Sequence, residues 1–162
     1  MSRNSELNNA PFWQQKSLSE MNKEEWESLC DGCGLCCLLK FENIYNKEIY
    51  YTDVACRLFD PQTCGCSQYS NRSQVVAACV QLTPENVPLN PGLPGTCAYR
   101  LVAEGKDLYP WHPLVSGSKN SVHTAKISAK NRVVSEDSLV AGEAEYHVVS
   151  WTKDIRSNCK KV

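Results

Sequence analysis

Four cysteines fall within eight residues in the stretch Cys30-Asp31-Gly32-Cys33-Gly34-Leu35-Cys36-Cys37. Nine of the ten cysteines lie in one segment, because five more come after this stretch: Cys56, Cys64, Cys66, Cys79 and Cys97. Thiols at this density are either paired as disulfides or held as thiolates by a metal. The rest of the sequence bears on which of these two states applies.

The cellular compartment predicted from the sequence favours metal-bound thiolates over disulfides. Polar residues occupy the amino terminus, where a secretory signal needs a continuous apolar core of about 7 to 15 residues. No apolar stretch approaches the roughly 20 residues that span a bilayer. We therefore expect a cytoplasmic protein without a membrane partner, in a compartment where structural disulfides are rare. An unrecognised export route, or a few redox-active disulfides, is the alternative.

Composition and charge limit the classes of function. The chain has 162 residues, of which 42% are hydrophobic, and fits one domain with a modest core. Its 17 Lys and Arg against 18 Asp and Glu give a formal net charge of -1, without a basic tract. We therefore do not expect nucleic acid as a partner. No hydrolase elbow, phosphate loop or metalloprotease motif is present, so the sequence leaves open whether the protein is an enzyme.

Helix starts are predicted at Asn22, Thr83 and Thr96. The first has a capping box with Glu25 and leads to Cys30. The second is a short helix with Pro84 in its first turn. The third carries Cys97 and ends near Gly105.

Two strand pairs are predicted, residues 38–44 with 48–52 and residues 122–128 with 132–135. Between these elements the chain is rich in turns. Gly32 and Gly34 permit the positive φ angles that wrap a backbone around a metal. The prediction is a small, loop-rich, single α+β domain with short helices and short β-hairpins, stapled by metal. Its metal-binding domain covers residues 11–137, and residues 138–162 form a carboxyl-terminal extension packed on the same domain.

The spacing of the cysteines indicates more than one metal. Cys30 with Cys33, and Cys33 with Cys36, have the two-residue spacing that chelates one ion. Three such ligands in series are also typical of a cubane iron–sulfur cluster, but Cys37 follows at once, unlike the ferredoxin pattern. Adjacent side chains diverge in most backbone conformations, so Cys36 and Cys37 are expected to serve different metals or opposite sides of a polynuclear site.

Two four-cysteine sites would leave one of the nine thiols spare. That thiol is either a bystander, such as Cys64 or Cys66, or a reactive group beside a cluster. Cys159 is expected to be an isolated exposed thiol. The three histidines are interpreted as hydrogen-bonded packing residues. If one of them is a metal ligand, His112 is the strongest candidate.

Several different motifs follow one another along the chain. They are Phe12-Trp13, Glu25-Trp26-Glu27-Ser28-Leu29, the run from Cys30 to Cys37, Val54-Ala55-Cys56-Arg57, Thr63-Cys64-Gly65-Cys66, Leu82-Thr83-Pro84-Glu85-Asn86, Thr96-Cys97-Ala98-Tyr99-Arg100-Leu101, Ala103-Glu104-Gly105-Lys106-Asp107-Leu108 and Trp111-His112-Pro113-Leu114. In this order they closely resemble the YcgN-type cysteine-cluster proteins, a bacterial group described as carrying a zinc- or iron-chelating CxxCxxCC domain. The resemblance extends from about residue 11 to about residue 137.

The resemblance implies metal chelation in the bacterial cytosol and supplies no reaction. The family's cysteine pattern maps onto nine metal ligands: Cys30, Cys33, Cys36, Cys37, Cys56, Cys64, Cys66, Cys79 and Cys97. The expected cofactor is an iron–sulfur cluster of the 4Fe–4S type, with zinc as the alternative. The expected role is redox or accessory, with an unidentified protein partner. A zinc-stabilised interaction module and a cluster-dependent modifying enzyme of unknown substrate are the other two hypotheses.

Overall fold

Short helices and two small sheets form the part of the chain described by the computed structural model, residues 9–152. The helices are α1 (Phe12–Gln15), α2 (Lys23–Ser28), α3 (Arg72–Val75), α4 (Ala98–Ala103), α5 (Pro113–Ser116) and α6 (Ser121–Thr124). The strands are β1 (Leu38–Glu42), β2 (Ile49–Ala55), β3 (Phe59–Asp60), β4 (Gly65–Cys66) and β5 (Val134–Ser135). The 3₁₀ helices are Leu18–Glu20, Leu35–Cys37, Tyr69–Asn71, Val87–Leu89, Glu136–Ser138 and Glu143–His147. The fold is therefore the loop-rich α+β type that the sequence predicts.

The first predicted hairpin is confirmed. Strands β1 and β2 pair antiparallel from Leu38 opposite Ala55 to Glu42 opposite Ile49, with a bulge near the start of β1. The turn is closed by the amide of Asn43, which donates to the carbonyl of Glu48 at 2.8 Å. Strand β5 joins the other edge of β2 in parallel, and β3 pairs antiparallel with β4 in a separate sheet. The two ends of the β1–β2 hairpin thus bring residues 37 and 56 together.

The first predicted helix is also confirmed, with its capping box. The amide of Glu25 donates to Asn22 Oδ1 at 2.9 Å, and the amide of Asn22 donates to Glu25 Oε2 at 3.0 Å. The helix containing residues 98–103 ends, as predicted, just before Gly105, which has a φ of +69°. Its N-cap is Cys97, one residue later than the sequence suggested.

The second predicted strand pair and the helix predicted to start at Thr83 are wrong. Residues 121–124 are helical rather than extended, and only Val134–Ser135 of the second strand pair is a strand. The β-branched residues Val122 and Ile127 are buried because they face the core from a helix and a loop, so strand propensity was misleading there. At Thr83 the chain makes a turn, and the next helical segment is the 3₁₀ helix Val87–Leu89.

Buried apolar residues form two clusters. The first hydrophobic cluster consists of Cys33, Leu35, Leu38, Ala55, Phe59, Cys64, Val122, Ile127 and Ala129. The second hydrophobic cluster consists of Leu18, Leu29, Val87, Leu93, Ala98, Tyr99 and Leu108, with Phe12, Trp13 and Trp26 packed against it. Phe12 and Trp13 therefore anchor the amino-terminal segment against this cluster. Cysteines contribute to the first cluster and border the second.

The segment after residue 137 contacts the hairpin. The amide of Val149 donates to the carbonyl of Tyr51 at 2.9 Å, and His147 Nδ1 lies 2.7 Å from Asp53 Oδ1. The domain boundary proposed at residue 137 stays a prediction, and Cys159 lies outside the described residues. In residues 9–152, none of the helices combines the length and the apolar character needed to traverse a membrane.

Candidate metal centre

Two glycines shape the loop that carries the first cysteines. Gly32 and Gly34 have φ angles of +75° and +74°, as predicted, in the left-handed region where glycine bears no steric penalty. At Gly34 a second constraint applies, because an added Cβ would lie 2.6 Å from Phe59 Cε2. The loop therefore passes directly over the Phe59 ring before the 3₁₀ helix Leu35–Cys37 begins.

Hydrogen bonds fix this loop on its buried side. The amide of Cys33 donates to Asp31 Oδ1 at 3.0 Å, and the amide of Ala129 donates to the Cys33 carbonyl at 2.8 Å. At the start of the loop, His112 Nε2 lies 2.8 Å from the carbonyl oxygen of Leu29. Asp31 and His112 are buried. These contacts restrain the backbone on both sides of the first cysteine.

A contact between α2 and α4 brings Cys97 toward the same loop. The Tyr99 hydroxyl donates to the Trp26 carbonyl at 2.7 Å, and the two rings are 4.7 Å apart. Cys97 immediately precedes α4, and Cys30 follows α2 by two positions. Packing of the two helices therefore makes neighbours of two cysteines that are far apart in sequence.

Four cysteines influence one another electrostatically and define the first thiol group: Cys30, Cys33, Cys36 and Cys97. Although Cys30 is open to solvent on one side, partial burial raises its pKa to about 12, and Cys36 and Cys97 add to the rise. Burial raises the pKa of Cys33 well above its ordinary value, with Cys36 and Cys30 contributing. Burial raises the pKa of Cys97 to about 11, with Cys36 contributing. Several thiolates can coexist here only with a compensating cation.

Backbone amides act in the opposite direction and lower these pKa values. The amides belong to residues two or three positions after each thiol, namely Gly32 for Cys30, Leu35 for Cys33, and Tyr99 and Arg100 for Cys97. Amide dipoles directed at sulfur favour the thiolate form, and such interactions also tune metal-bound sulfur. Backbone amides are thus placed to donate hydrogen bonds to the thiolates of Cys30, Cys33 and Cys97.

The second thiol group consists of the other clustered cysteines apart from Cys64, namely Cys37, Cys56, Cys66 and Cys79. The amide of Cys56 donates to the Cys37 carbonyl at 2.9 Å at the end of the hairpin. Cys66 is paired with Phe59, whose amide donates to the Cys56 carbonyl at 2.9 Å. Burial raises the pKa of Cys79, and both Cys56 and Cys66 contribute to the rise. Short strands and turns therefore assemble this group around the end of β2.

Two arginines hold the segment that carries Cys79. Arg57, next to Cys56, donates from Nη2 to the Val75 carbonyl at 2.7 Å and so attaches α3 to the end of the hairpin. The Arg72 guanidinium opposes the effect of burial and lowers the pKa of Cys79. It lies 3.9 Å from the centre of the Tyr69 ring, which fixes its position. A thiolate at position 79 would therefore have a cation beside it.

Cys36 and Cys37 join the two groups. A hydrogen bond from the Cys37 thiol lowers the pKa of Cys36 to about 7 and raises that of Cys37. The Lys40 ammonium also lowers both values, and it donates to the carbonyls of Cys36 at 3.1 Å and Leu38 at 2.7 Å. The two thiols therefore interact with each other in this conformation, and their service to different metals or to opposite sides of a polynuclear site stays a prediction. Their other thiol neighbours nevertheless belong to different groups.

Cys64 stands apart from both groups. It is buried in the first hydrophobic cluster, and this burial raises its pKa. The Ser128 hydroxyl and the Lys130 ammonium lower it. Within residues 9–152, none of its main electrostatic neighbours is a cysteine. Of the close pair singled out by sequence, Cys64 is therefore the candidate for the spare thiol.

In neither thiol group, both of which lie within residues 9–152, do the sulfur atoms surround a common position for a metal ion. Within the described part of the chain, no three His, Cys, Asp or Glu side chains are arranged so that they could hold a metal ion. All nine cysteines there are free thiols. A metal at either group therefore requires the sulfurs to move together, which couples metal binding to ordering of the loops.

The chemistry of the donors nevertheless fits a thiophilic metal. Each group supplies four thiols, the number used by tetrahedral zinc and by a cubane iron–sulfur cluster. Next to Cys97, the Thr96 hydroxyl is buried and has no hydrogen-bond partner among the described residues. A buried hydroxyl without a partner is costly, and a metal-bound sulfur would accept its hydrogen bond.

Comparison with known proteins agrees with this chemistry. A family model described as "Putative zinc- or iron-chelating domain", with the name CxxCxxCC, matches residues 29–98. A UPF0260 protein of Rhizobium etli is 54% identical over 145 residues, which cover 90% of this chain and 92% of that relative. A UPF0260 protein of Mesorhizobium japonicum is 57% identical over 136 residues, covering 84% and 92% of the two chains. The chain belongs to the UPF0260 family.

The UPF0260 membership confirms the resemblance inferred from the ordered motifs. A third relative in the family, from Rhodopseudomonas palustris, is 54% identical over 141 residues that cover 86% of this chain and 83% of that protein. No solved structure matches the chain. The family match supports metal binding by the segment that contains all nine clustered cysteines.

The histidines lie outside both thiol groups. His112, the best exception considered from sequence, uses both ring nitrogens, since Nδ1 also accepts from the amide of Leu114 at 3.0 Å. His123 Nδ1 lies 2.7 Å from Ser128 Oγ, and His147 is paired with Asp53. The interpretation of His112 as a hydrogen-bonded packing residue is confirmed.

Sequence reasoning missed four residues around the thiols: Asp31, Lys40, Arg72 and Thr96. Three of them carried a signal, because Asp31 lies inside the cysteine run, Lys40 follows it by three positions and Thr96 directly precedes Cys97. Arg72 becomes the neighbour of a cysteine only through the fold. No local pattern marked Arg72 as a partner of Cys79.

Proposed function

We propose that this protein chelates iron through two centres, one at each thiol group, and that the first carries a 4Fe–4S cluster. The observation that carries the proposal is that eight thiols influence one another in two neighbouring sets of four, linked through Cys36 and Cys37, whereas in residues 9–152 no cysteine is among the main influences on Cys64. The zinc- or iron-chelating description of the matching family supports the same chemistry.

The composition of the first thiol group favours iron–sulfur over zinc. Its ligands would be three cysteines in series, Cys30, Cys33 and Cys36, with the remote Cys97 as the fourth. A C-x₂-C-x₂-C series with a distant partner is typical of cubane clusters. The amides near three of these sulfurs and the unpartnered Thr96 hydroxyl supply hydrogen-bond donors for metal-bound thiolates, which tune the potential of an iron–sulfur cluster.

Zinc is the alternative metal, and the second thiol group suits zinc better than the first group does. Its four thiols come from four separate segments, and four protein ligands suffice for a closed tetrahedral site. In that case the metal is structural and the chain is an interaction module. Iron at the first group and zinc at the second would be a mixed outcome that overturns only the iron assignment of the second group.

A redox role in the cytoplasm is part of the proposal. Lys40 contacts the junction of the two groups, and a cation beside a cluster stabilises its more negative, reduced form. The nine free thiols suit a reducing compartment. We propose that the protein transfers electrons or supports cluster-dependent chemistry on an unidentified protein partner.

Metal and sulfide analysis of anaerobically purified protein tests the proposal. We expect brown protein with iron, acid-labile sulfide and broad visible absorption. Colourless protein with stoichiometric zinc and no sulfide would replace the iron–sulfur assignment with the structural zinc module. Protein that retains neither metal, when purified from cells supplied with both, would refute chelation itself.

A further inference from the structure

A cleft with a positively charged lining lies on the side of the first hydrophobic cluster, after α6. Its volume is about 240 Å³, and its lining residues are His123, Lys126, Ser128, Lys130, Asn131 and Arg132. None of the nine clustered cysteines lines it, so a ligand of this cleft would be independent of the proposed metal centres. Three cations at one small cleft are notable in a chain whose formal net charge is -1.

These cations are not neutralised by the protein around them. Among residues 9–152, no carboxylate forms an ion pair with Lys126, Lys130 or Arg132, and no acidic residue lines the cleft. Like charges that line one small cleft repel one another. An anion in the cleft would remove that repulsion.

The cleft has a fixed polar floor and one positioned cation. The Ser128 side chain is buried, and its Oγ lies 2.7 Å from His123 Nδ1. Arg132 is held from two sides, because its guanidinium lies 4.1 Å from the Trp151 ring centre and Nη1 donates to the Lys126 carbonyl at 3.1 Å. The remaining guanidinium donors are left for a ligand.

The rim is also conformationally strained. Lys126 and Asn131 have φ angles of +58° and +56°, which residues other than glycine rarely adopt. Such strain concentrates at ligand sites, where it places side chains that an unstrained loop would not. Here the two positions lie on either side of Lys130 in the cationic segment.

We propose that this cleft binds a phosphate group, either free or as the monoester of a small molecule. A tetrahedral dianion matches three cations, and arginine is suited to bidentate contact with phosphate oxygens. The cleft binds it through Lys126, Lys130 and Arg132, with Asn131 as a neutral partner.

Equilibrium dialysis of the whole chain with radiolabelled inorganic phosphate, at constant ionic strength set with chloride, tests this assignment. We expect saturable binding, and competition by glycerol 2-phosphate separates the free ion from the ester. Stronger competition by the ester than by unlabelled phosphate supports a monoester ligand, and the reverse supports free phosphate. Absence of saturable binding of both ligands would overturn the proposal.

Charge-removing variants locate the site. Lys126→Gln and Arg132→Gln should each weaken binding about tenfold, as expected for the loss of one charge-assisted hydrogen bond. Lys119→Gln is the matched control, since Lys119 is an exposed lysine outside the cleft. Equal weakening by the control, or unchanged binding in both cleft variants, would show non-specific attraction and refute the site.

Discussion

Cys64 and Cys66 are separated by one residue, yet they have different surroundings. Cys66 lies in β4 opposite Phe59 and acts on Cys79, whereas Cys64 is buried in the first hydrophobic cluster beside Ser128. In an extended segment, side chains two apart point to the same face, but Cys64 has a φ of +56°, which breaks that relation. The backbone at Cys64 thus explains why only one of the pair reaches the second thiol group.

We expect Cys64→Ser to retain all bound metal and Cys66→Ser to lose the metal of the second thiol group. A serine hydroxyl is a poor ligand for iron or zinc, so its effect on metal content reports on ligation. Metal and sulfide analysis of both variants after anaerobic purification checks this. Loss of metal in Cys64→Ser with retention in Cys66→Ser would exchange their assignments.

Lys40 is placed to control the electron affinity of a centre. Burial lowers its pKa, while the charges of Cys36, Cys37 and Cys33 raise it, so the ammonium and the thiols stabilise one another. Its Nζ also lies 5.1 Å from the centre of the Tyr51 ring. A residue so fixed contributes a constant positive charge at the junction of the two groups.

We expect Lys40→Gln to lower the midpoint potential of the centre by tens of millivolts, since about 60 mV corresponds to about 1.4 kcal/mol for one electron. Removal of a positive charge makes the added electron less favourable. Lys40→Arg should keep the original potential. The control is Lys47→Gln, an exposed lysine of the same hairpin that pairs with Glu42 at 3.1 Å. Dye-mediated titration followed by visible absorption measures all four proteins, and equal potentials in all of them would remove Lys40 from the redox site.

The glycine-containing loop between α2 and β1 is the element on which the first thiol group depends. Both of its glycines need positive φ, but only Gly34 also lies against a buried ring. Gly32 has no atom within 4 Å of an added Cβ. The two positions therefore separate the cost of backbone conformation from the cost of a clash.

We expect Gly32→Ala to lower the free energy of unfolding by about 1 to 2 kcal/mol, the cost of a left-handed conformation for alanine. Gly34→Ala should cost clearly more, because Phe59 must shift as well. Denaturant unfolding of anaerobically purified protein measures both. Adding Phe59→Leu to Gly34→Ala should recover part of the additional loss. Equal destabilisation by the two alanine variants would contradict the close approach of the loop to Phe59.

Local signals predicted the elements that depend on neighbouring residues. The capping box at Asn22, the hairpin about residue 46 and the positive φ of Gly32 all follow from interactions within a few positions. Local signals could not predict the structure of the stretch from Val122 to Ser128, because tertiary packing buries its β-branched residues in a helix and a loop. The same reason hid the cleft at Lys126, Lys130 and Arg132.

The proposed division of the cysteines into two groups follows from sequence in number but not in membership. Spacing alone indicated that Cys30, Cys33 and Cys36 have chelating separations, and that two four-cysteine sites would leave one of nine thiols spare. The assignment of Cys97 to them depends on the packing of Tyr99 on Trp26, which no short-range pattern encodes. Long-range helix packing therefore decides which thiols can share a metal.

At the scale of the whole molecule, the first thiol group joins the two hydrophobic clusters. Cys33 belongs to the first cluster, and Cys97 packs against the second. Each cluster is small, and the segments between them are turns rather than long elements. Because a chain with little regular structure has few cooperative contacts, a metal that links both clusters would supply much of its stability.

Removal of metal should therefore destabilise the whole chain. We expect chelator-treated protein, and Cys33→Ser, to melt about 10 °C or more below the metal-loaded protein, since several kcal/mol of binding free energy shifts a domain of this size by ~2–4 °C per kcal/mol. Scanning calorimetry under anaerobic, reducing conditions measures this shift. Cys64→Ser is the control, because it removes a buried thiol without removing a proposed ligand, so its metal content should be unchanged and its fall in melting temperature smaller. If metal removal left the melting temperature unchanged while Cys33→Ser still lost its metal, the metal would bind a chain already held together by its own contacts. The centre would then serve chemistry alone, and its contribution to folding would be refuted.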